Sequence, residues 1–429
     1  MLDLIFFAAL LSQEADTGAA TNGADLNEAE ETAPPVSEVA LDFLGQVPQS
    51  LENWEPEGFE AQAVSQAFAM LGREDLVQRF NSAAYQYQPC PVIDGDALET
   101  MIAAARDAQI VIINEAHDQP FHRHVIGVLG QAISDDFDVF AAETFNYLRL
   151  MGERQPGALG WYDREPIFAR QITTLEAEGY QFAAYEIRAH QRDSRAETFA
   201  ERVAVREEAQ ANNLIAEVLE DDPQARILIH VGYSHVLEAP EPRPDAETLI
   251  WFAARLKDKT GIDPLTISQT HCTAVSEPPV PSQQAEGEET PDVSDGEAEP
   301  QEPSPESTPV PVELEPGGIV LTAGPASLPE GAVDLFIAHN PPSFTDHRPD
   351  WRRAIGDVSV PIPEAYLSAD QPVIVEARRP DETLAHTPSD HVLIYPDEVP
   401  VLLLPPGEYV LHAWTLEGAL GEPETVTVE

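Results

Sequence analysis

Six residues have the types and positions to do chemistry: Glu115, His117, Glu143, Glu186, Arg206 and His235. Five of them follow short apolar runs. Asn114-Glu115-Ala116-His117-Asp118 follows Ile110–Ile113, Glu143 follows Val139–Ala142, Glu186 follows Phe182–Tyr185, and Gly232-Tyr233-Ser234-His235 follows Ile227–Val231. If those runs are neighbouring strands, two imidazoles and three carboxylates meet at one edge, where ligands bind in open α/β sheets. A histidine or glutamate there would take a proton from water, and the second histidine would stabilise developing charge. His117, Glu143 and His235 are also nitrogen and oxygen donors suited to a divalent ion. Taken singly, each reads as a loop histidine or a solvated glutamate; convergence at one edge points to a site.

The elements that must position these residues alternate strand and helix between Cys90 and Cys272. Asp96-Ala97-Leu98-Glu99 opens a helix with a capping signal, and Ile110–Ile113 is a β-branched run suited to a strand covered on both faces. Val125, Val128, Leu129 and Ala132 mark the next helix, on which His122 and His124 are expected at the surface by default, with facing the site the alternative for His122. Further strands are expected at Val139–Ala142, Phe182–Tyr185, Ile227–Val231 and Leu265–Ile267. A helix is expected from about Ala196 to Leu219, with Phe199, Val203, Arg206, Gln210, Leu214 and Val218 on one stripe. Arg206 then faces the sheet, and a buried guanidinium requires a carboxylate, for which Glu143 and Glu186 are the candidates. This α/β pattern predicts a mostly parallel sheet with helices on both faces.

The set Asn114–Asp118, Glu143, Arg206–Asn212 and Gly232–His235 resembles the superfamily that joins ChaN-like haem-binding proteins, erythromycin esterases and Tiki proteases. Its pattern is two Gly-x-x-His motifs with a glutamate and an arginine between them. The resemblance covers residues of about 90–272. The second motif is intact; in the first, Asn114 stands where the pattern has glycine, and asparagine tolerates the left-handed backbone better than most residues. The resemblance implies ester hydrolysis without metal, metal-dependent peptide cleavage, or haem binding. On it, Glu115, His117, Glu143, Arg206 and His235 carry catalysis on a small-molecule or peptide substrate. His117, Glu143 and His235 would be the ligands of a divalent metal. Haem would need an axial His or Tyr, with Tyr147, Tyr162 and Tyr233 near in sequence.

Composition narrows the remaining classes. The chain has 429 residues, with 76 Asp and Glu against 23 Lys and Arg, a formal charge of −53. Such a surface repels phosphate backbones and anionic lipid, so nucleic acid is excluded as a partner. No run is long enough for a membrane span. Gly-x-Ser-x-Gly, P-loop and Cys-x-x-Cys patterns are absent, which leaves serine-nucleophile, nucleotide and zinc-finger readings without support.

The expected organisation has six parts. An apolar Leu4–Leu11 stretch makes 1–15 a signal peptide, and 16–38 is a disordered acidic spacer. Residues 39–89 form a helical extension, and 90–272 the α/β domain. Residues 273–316, with 12 acidic residues and ten prolines, form a disordered linker. Short runs punctuated by Pro and Gly make 317–429 an all-β domain, a small sandwich that would suit a protein partner. Cys90 and Cys272 bracket the α/β unit. They are either a bridge or two separate buried thiols; a bridge agrees with export to the periplasm or beyond.

Overall fold

The computed structural model describes residues 37–56, 58–81, 87–145, 159–243, 247–276, 311–339 and 341–429. The expected signal peptide, the spacer up to residue 36, the linker interior and Tyr147 lie outside the described residues.

The body is a seven-stranded sheet in the order β4-β3-β5-β2-β6-β9-β8. Its strands are β2 (Ile110–Glu115), β3 (Val139–Ala142), β4 (Gln181–Ala184), β5 (Ile227–Gly232), β6 (Leu265–Ser268), β8 (Ile319–Thr322) and β9 (Leu335–His339). All neighbours pair in parallel except β8, which is antiparallel to β9. The helices of the body are α4 (Ala97–Asp107), α5 (Pro120–Ala132), α6 (Pro166–Ala177), α7 (Phe199–Leu214) and α8 (Phe252–Thr260). The period of two divides β2: Val111 and Ile113 join the core on the α5–α6 side, while Ile110 and Ile112 join the one beneath α7 and α8. Continuous Ile and Val runs are the sequence consequence of that double cover. The long helix starts at Phe199, capped by a reciprocal Thr198–Glu201 box, and passes at Ile215 into a π turn ending at Leu219.

The expected boundary at 317 is corrected here. β8 and β9 fall within the segment assigned to the all-β domain, yet they complete the α/β sheet. Both are short continuous apolar runs, Ile319–Leu321 and Leu335–Ala338, which suit a covered strand of either sheet, so the run alone cannot assign them. The edge of the linker also moves. Strand β7 (Cys272–Val275) pairs in parallel with β1 (Gln88–Pro91), and Val312 donates its N–H to the Ala274 carbonyl.

The C-terminal piece is antiparallel. After the β10 (Phe344–Thr345) and β11 (Arg348–Pro349) hairpin and the short helix α9 (Asp350–Ala354), β12 (Val358–Pro361) pairs with β15 (Val401–Leu404). A second sheet holds β13 (Val373–Arg378), β14 (Asp390–Ile394), β16 (Gly407–Thr415), β17 (Gly418–Ala419) and β18 (Glu424–Val428). Its outer residues Ile374, Leu393 and Trp414 share one apolar core with Phe43, Phe68 and Leu71 from α1 (Glu38–Leu44), α2 (Gly58–Met70) and the turn after it. Arg73, wholly buried, ties α3 (Glu74–Asn81) to this piece through Glu398 at 2.6 Å and the Leu393 carbonyl at 2.9 Å. The N-terminal helices therefore cement the β-rich piece to the body.

Candidate active site

The parallel register sets Glu115 on β2 opposite Gly232 on β5, and Ala142 on β3 opposite His230. Glu115, His230 and Gly232 share the α5–α6 face, and the turns beyond these strand ends carry His117, Glu143 and His235. Ion pairs join them in two groups, Glu115 with His117 and His230, and Glu143 with Arg206 and His235; Glu115, His117 and Glu143 line one small cavity, so the five sequence candidates meet at the carboxyl edge.

Glu115 is 2% exposed and accepts from three side chains. His117 Nδ1 lies 2.8 Å from its Oε1, and His230 Nε2 lies 2.9 Å from its Oε2. Arg123, completely buried in the first turn of α5, donates Nε to Oε2 at 2.7 Å and Nη2 to Oε1 at 3.1 Å. Arg123 also reaches the His117 carbonyl at 2.8 Å and Glu165 at 3.3 Å. Burial by itself would raise the Glu115 pKa, but Arg123 and His230, with the hydrogen bonds from the histidines, hold it well below the ordinary range.

Glu143 accepts the Gly232 N–H at 2.7 Å and a short bond from Arg206 Nη2. Arg206 also grips Glu186 through Nε at 3.0 Å and through Nη2. The expected placement of Arg206 beside both glutamates is therefore present. Against the pull of burial, His235, Arg206 and His117 drive the Glu143 carboxyl far below its usual value. His235 Nδ1 bonds Glu207 at 2.7 Å, while its Nε2 lies 3.1 Å from Arg206 Nη1 and 3.4 Å from Glu143. The neutral ring thus accepts from Arg206, and the protonated ring can donate to Glu143. Burial opposes that charge, but Glu143 and Glu207 outweigh it and lift the His235 pKa above 6.5.

Gly232 is required by close approach. A Cβ there would lie 2.9 Å from His117 Nε2 and 3.1 Å from Glu143 Oε2. With Nδ1 bound to Glu115, His117 turns Nε2 toward a cavity of about 10 Å³, enough for one water, lined also by Thr144, Tyr162 and His230. Tyr162 stacks on the His117 ring with centroids 4.6 Å apart, and Tyr233 meets it edge-on at 4.9 Å. Tyr233 holds φ at 35°, a strained value for a non-glycine residue. Its carbonyl accepts Asn114 Nδ2 at 2.6 Å.

That bond corrects the role expected of Asn114. The residue lies in β2 with ordinary strand backbone, and it fixes the Tyr233 turn rather than supplying a left-handed one. His122 is likewise corrected. It is buried, 4% exposed, and its Nδ1 accepts the Ala116 N–H at 3.0 Å. His124 is half-buried and stacks on Trp351. The metal set does not fit. Arg206 donates to Glu143 and faces His235 Nε2, so a guanidinium fills the place a cation would take, and no group of three metal-binding residues occurs among the described residues. Arg123, His230 and Glu207 were missed by sequence reasoning.

The pKa shifts give the acid response a sign. Glu115 and Glu143 have folded pKa values below 4.5, so the unfolded chain binds more protons as pH falls. Their contribution is full above pH 4.5 and is lost progressively below it. His235 acts oppositely: its share is full below pH 6.5 and fades as pH rises through its raised value. The melting temperature of Glu143→Gln should therefore fall less than that of wild type between pH 5 and pH 3, about the range over which carboxylates take up protons. Parallel curves would show that Glu143 does not carry this linkage.

No family model matches the chain, and no curated protein does. Similar solved structures include one described as bacterial protein toxins, with 14% identity and a TM-score of 0.27 over 51% of this chain and 44% of that one. Another is RRSP, a MARTX toxin effector domain from Vibrio vulnificus, with 13% identity and a TM-score of 0.26 over 51% and 43%. The chain thus spans under half the length of these structures, and scores of this size establish no shared fold.

Proposed function

We propose that the chain is an exported hydrolase in which His117 activates water against an ester or peptide carbonyl. The observation that carries this reading is the pairing of each histidine with a buried carboxylate, Glu115–His117 and Glu207–His235, on either side of Glu143 and Arg206. A carboxylate on Nδ1 fixes the tautomer and leaves the Nε2 lone pair for the water proton. Hydroxide then adds to the carbonyl carbon, and the oxyanion is met by donors on Arg206 and His235. Collapse expels the alcohol or amine, which takes a proton from a histidine. The Cys90–Cys272 disulfide supports an oxidising compartment, periplasmic or secreted.

A panel of ester and peptide substrates tests the reading. Wild type should turn one over, His117→Ala should lose about 10²–10⁴-fold in rate, and chelation should change nothing. Turnover equal in wild type and His117→Ala would refute the assignment.

A further inference from the structure

Tyr162 enters the active site from outside the sheet, on the short turn Tyr162–Arg164 that precedes α6. Its ring is clamped. The His117 imidazole stacks on it at 4.6 Å, and the Arg123 guanidinium lies over it at 5.1 Å. The turn is tied down from two directions. Thr387, between β13 and β14, donates its hydroxyl to the Asp163 carbonyl at 2.8 Å, and Arg164 pairs with Asp42 of α1 at 2.9 Å. A group held in this way loses little freedom when it meets a reacting molecule.

The hydroxyl at the end of that ring is the anomaly. Tyr162 is 3% exposed, yet its oxygen bonds nothing among the described residues, whereas a buried tyrosine O–H ordinarily finds a partner. Nor is it sealed from solvent, as the unpartnered Thr144 Oγ1 is. It opens on the one-water cavity that Tyr162 lines together with His117, Glu143 and Gly232. Burial and the Glu115 carboxylate hold the Tyr162 pKa well above 10, so the hydroxyl keeps its proton and is a donor.

The other groups at the cavity call for a particular occupant. His117 Nε2 carries a lone pair, because the ring proton is on Nδ1 against Glu115. Glu143 Oε2 takes the Gly232 N–H at 2.7 Å and has a second lone pair. Both atoms overhang Gly232, where a Cβ would lie 2.9 Å from Nε2 and 3.1 Å from Oε2. Two acceptors repel an anion, and an ammonium ion cannot accept the tyrosine proton. A water satisfies all three groups and keeps one lone pair in hand.

We propose that Tyr162 is a catalytic residue, whose hydroxyl holds the attacking water by its oxygen while the water's protons bond His117 and Glu143. This rests on the hydrolase reading and fixes the orientation of its nucleophile. In the step itself one O–H bond of the water breaks, and its proton passes to His117 Nε2. The free lone pair forms the new C–O bond, and the carbonyl π pair moves to its oxygen. Tyr162 keeps its proton throughout and steadies the hydroxide as it forms.

Tyr162→Phe keeps the stacked ring and gives up no hydrogen bond within the chain, so it should melt with wild type. On the ester or peptide that wild type turns over, its kcat should fall about 10–100-fold with KM unchanged, the worth of one hydrogen bond to a developing charge. In the His117→Ala background the same change should cost under about threefold, since groups acting on one water are not additive. Full kcat in Tyr162→Phe beside a crippled His117→Ala would overturn the role of Tyr162 and leave the hydrolase reading standing. An equal loss in both backgrounds would do the same. A lowered melting temperature would show the hydroxyl spent inside the chain, and that also overturns it. Equal turnover by wild type and His117→Ala, or none by wild type, would overturn the hydrolase reading and this inference with it.

Discussion

Arg123→Ala is expected to cost about 3–5 kcal/mol of unfolding free energy, the range for breaking a buried pair by removing one partner. The guanidinium is 0% exposed and bonds both oxygens of Glu115, the Glu165 carboxylate and the His117 carbonyl. Without it, two carboxylates and a carbonyl stay buried and underpaired, and nothing beside Glu115 and Glu165 can move in to replace five directed donors. Burial, now unopposed by the nearest cation, would push the Glu115 pKa up and release His117 from its fixed tautomer. Lysine offers a point charge and cannot span both acids, so Arg123→Lys should recover only part of the loss. Arg206→Ala should cost less than Arg123→Ala, because its side chain is 12% exposed and water can reach Glu143 and Glu186 once it is gone. Urea unfolding of the three variants reads all of this. A cost under about 1 kcal/mol for Arg123→Ala would mean that the network relaxes into solvent.

Why Arg206 was legible and Arg123 was not follows from helix geometry. Arg206 interrupts a long apolar stripe at regular spacing, so its facing is fixed by its neighbours. Arg123 stands in the first turn of α5, where periodicity has barely begun and flanking histidines suggest a wet face. One signal was available. A cation in a first turn opposes the helix dipole, and Arg123 has no acid three or four residues on, since Ile126 and Gly127 stand there. Such a residue calls for a distant carboxylate. His230 carried a similar signal, as a polar ring inside the apolar run Ile227–Val231. Glu207 was hidden by its companion Glu208, which is half-buried and pairs with Arg255 and Lys259. The strands and their order of use at the carboxyl edge were readable because covered parallel strands are uniformly apolar. The return of β8 and β9 to that sheet was not, because strand pairing across a long excursion leaves no local mark in either run.

Removing the Cys90–Cys272 disulfide is expected to lower stability by about 5 kcal/mol in the chain-entropy model, since it closes a loop of 182 residues. The Cα atoms are 5.4 Å apart, inside the ordinary range for a bridge. Both cysteines are buried in a small apolar cluster with Ala274 and Ala338, sealed from exchange with external thiols. Their position makes the loss regional as well as global. The β1–β7 pair is four residues long, and Val312, Val92 and Ala323 hang from its backbone. Val92 bridges Thr322 of β8 and Ala323 directly follows that strand, and β8 pairs only with β9 within the sheet. Cutting the bridge should therefore free β1, β7 and β8 before β2 and β5 at the sheet centre. In the double variant Cys90→Ala, Cys272→Ala, the amides of Gln88, Thr273 and Ile319–Thr322 should exchange faster than those of Ile227–Gly232, and the melting temperature should fall. Peptide mapping without reductant should find the two cysteines linked in protein from its native compartment. Two alkylatable thiols there would remove both the bridge and its support for export. Uniform acceleration of all amides in the double variant would instead show that the bridge acts on the unfolded chain alone, with no particular hold on the edge of the sheet.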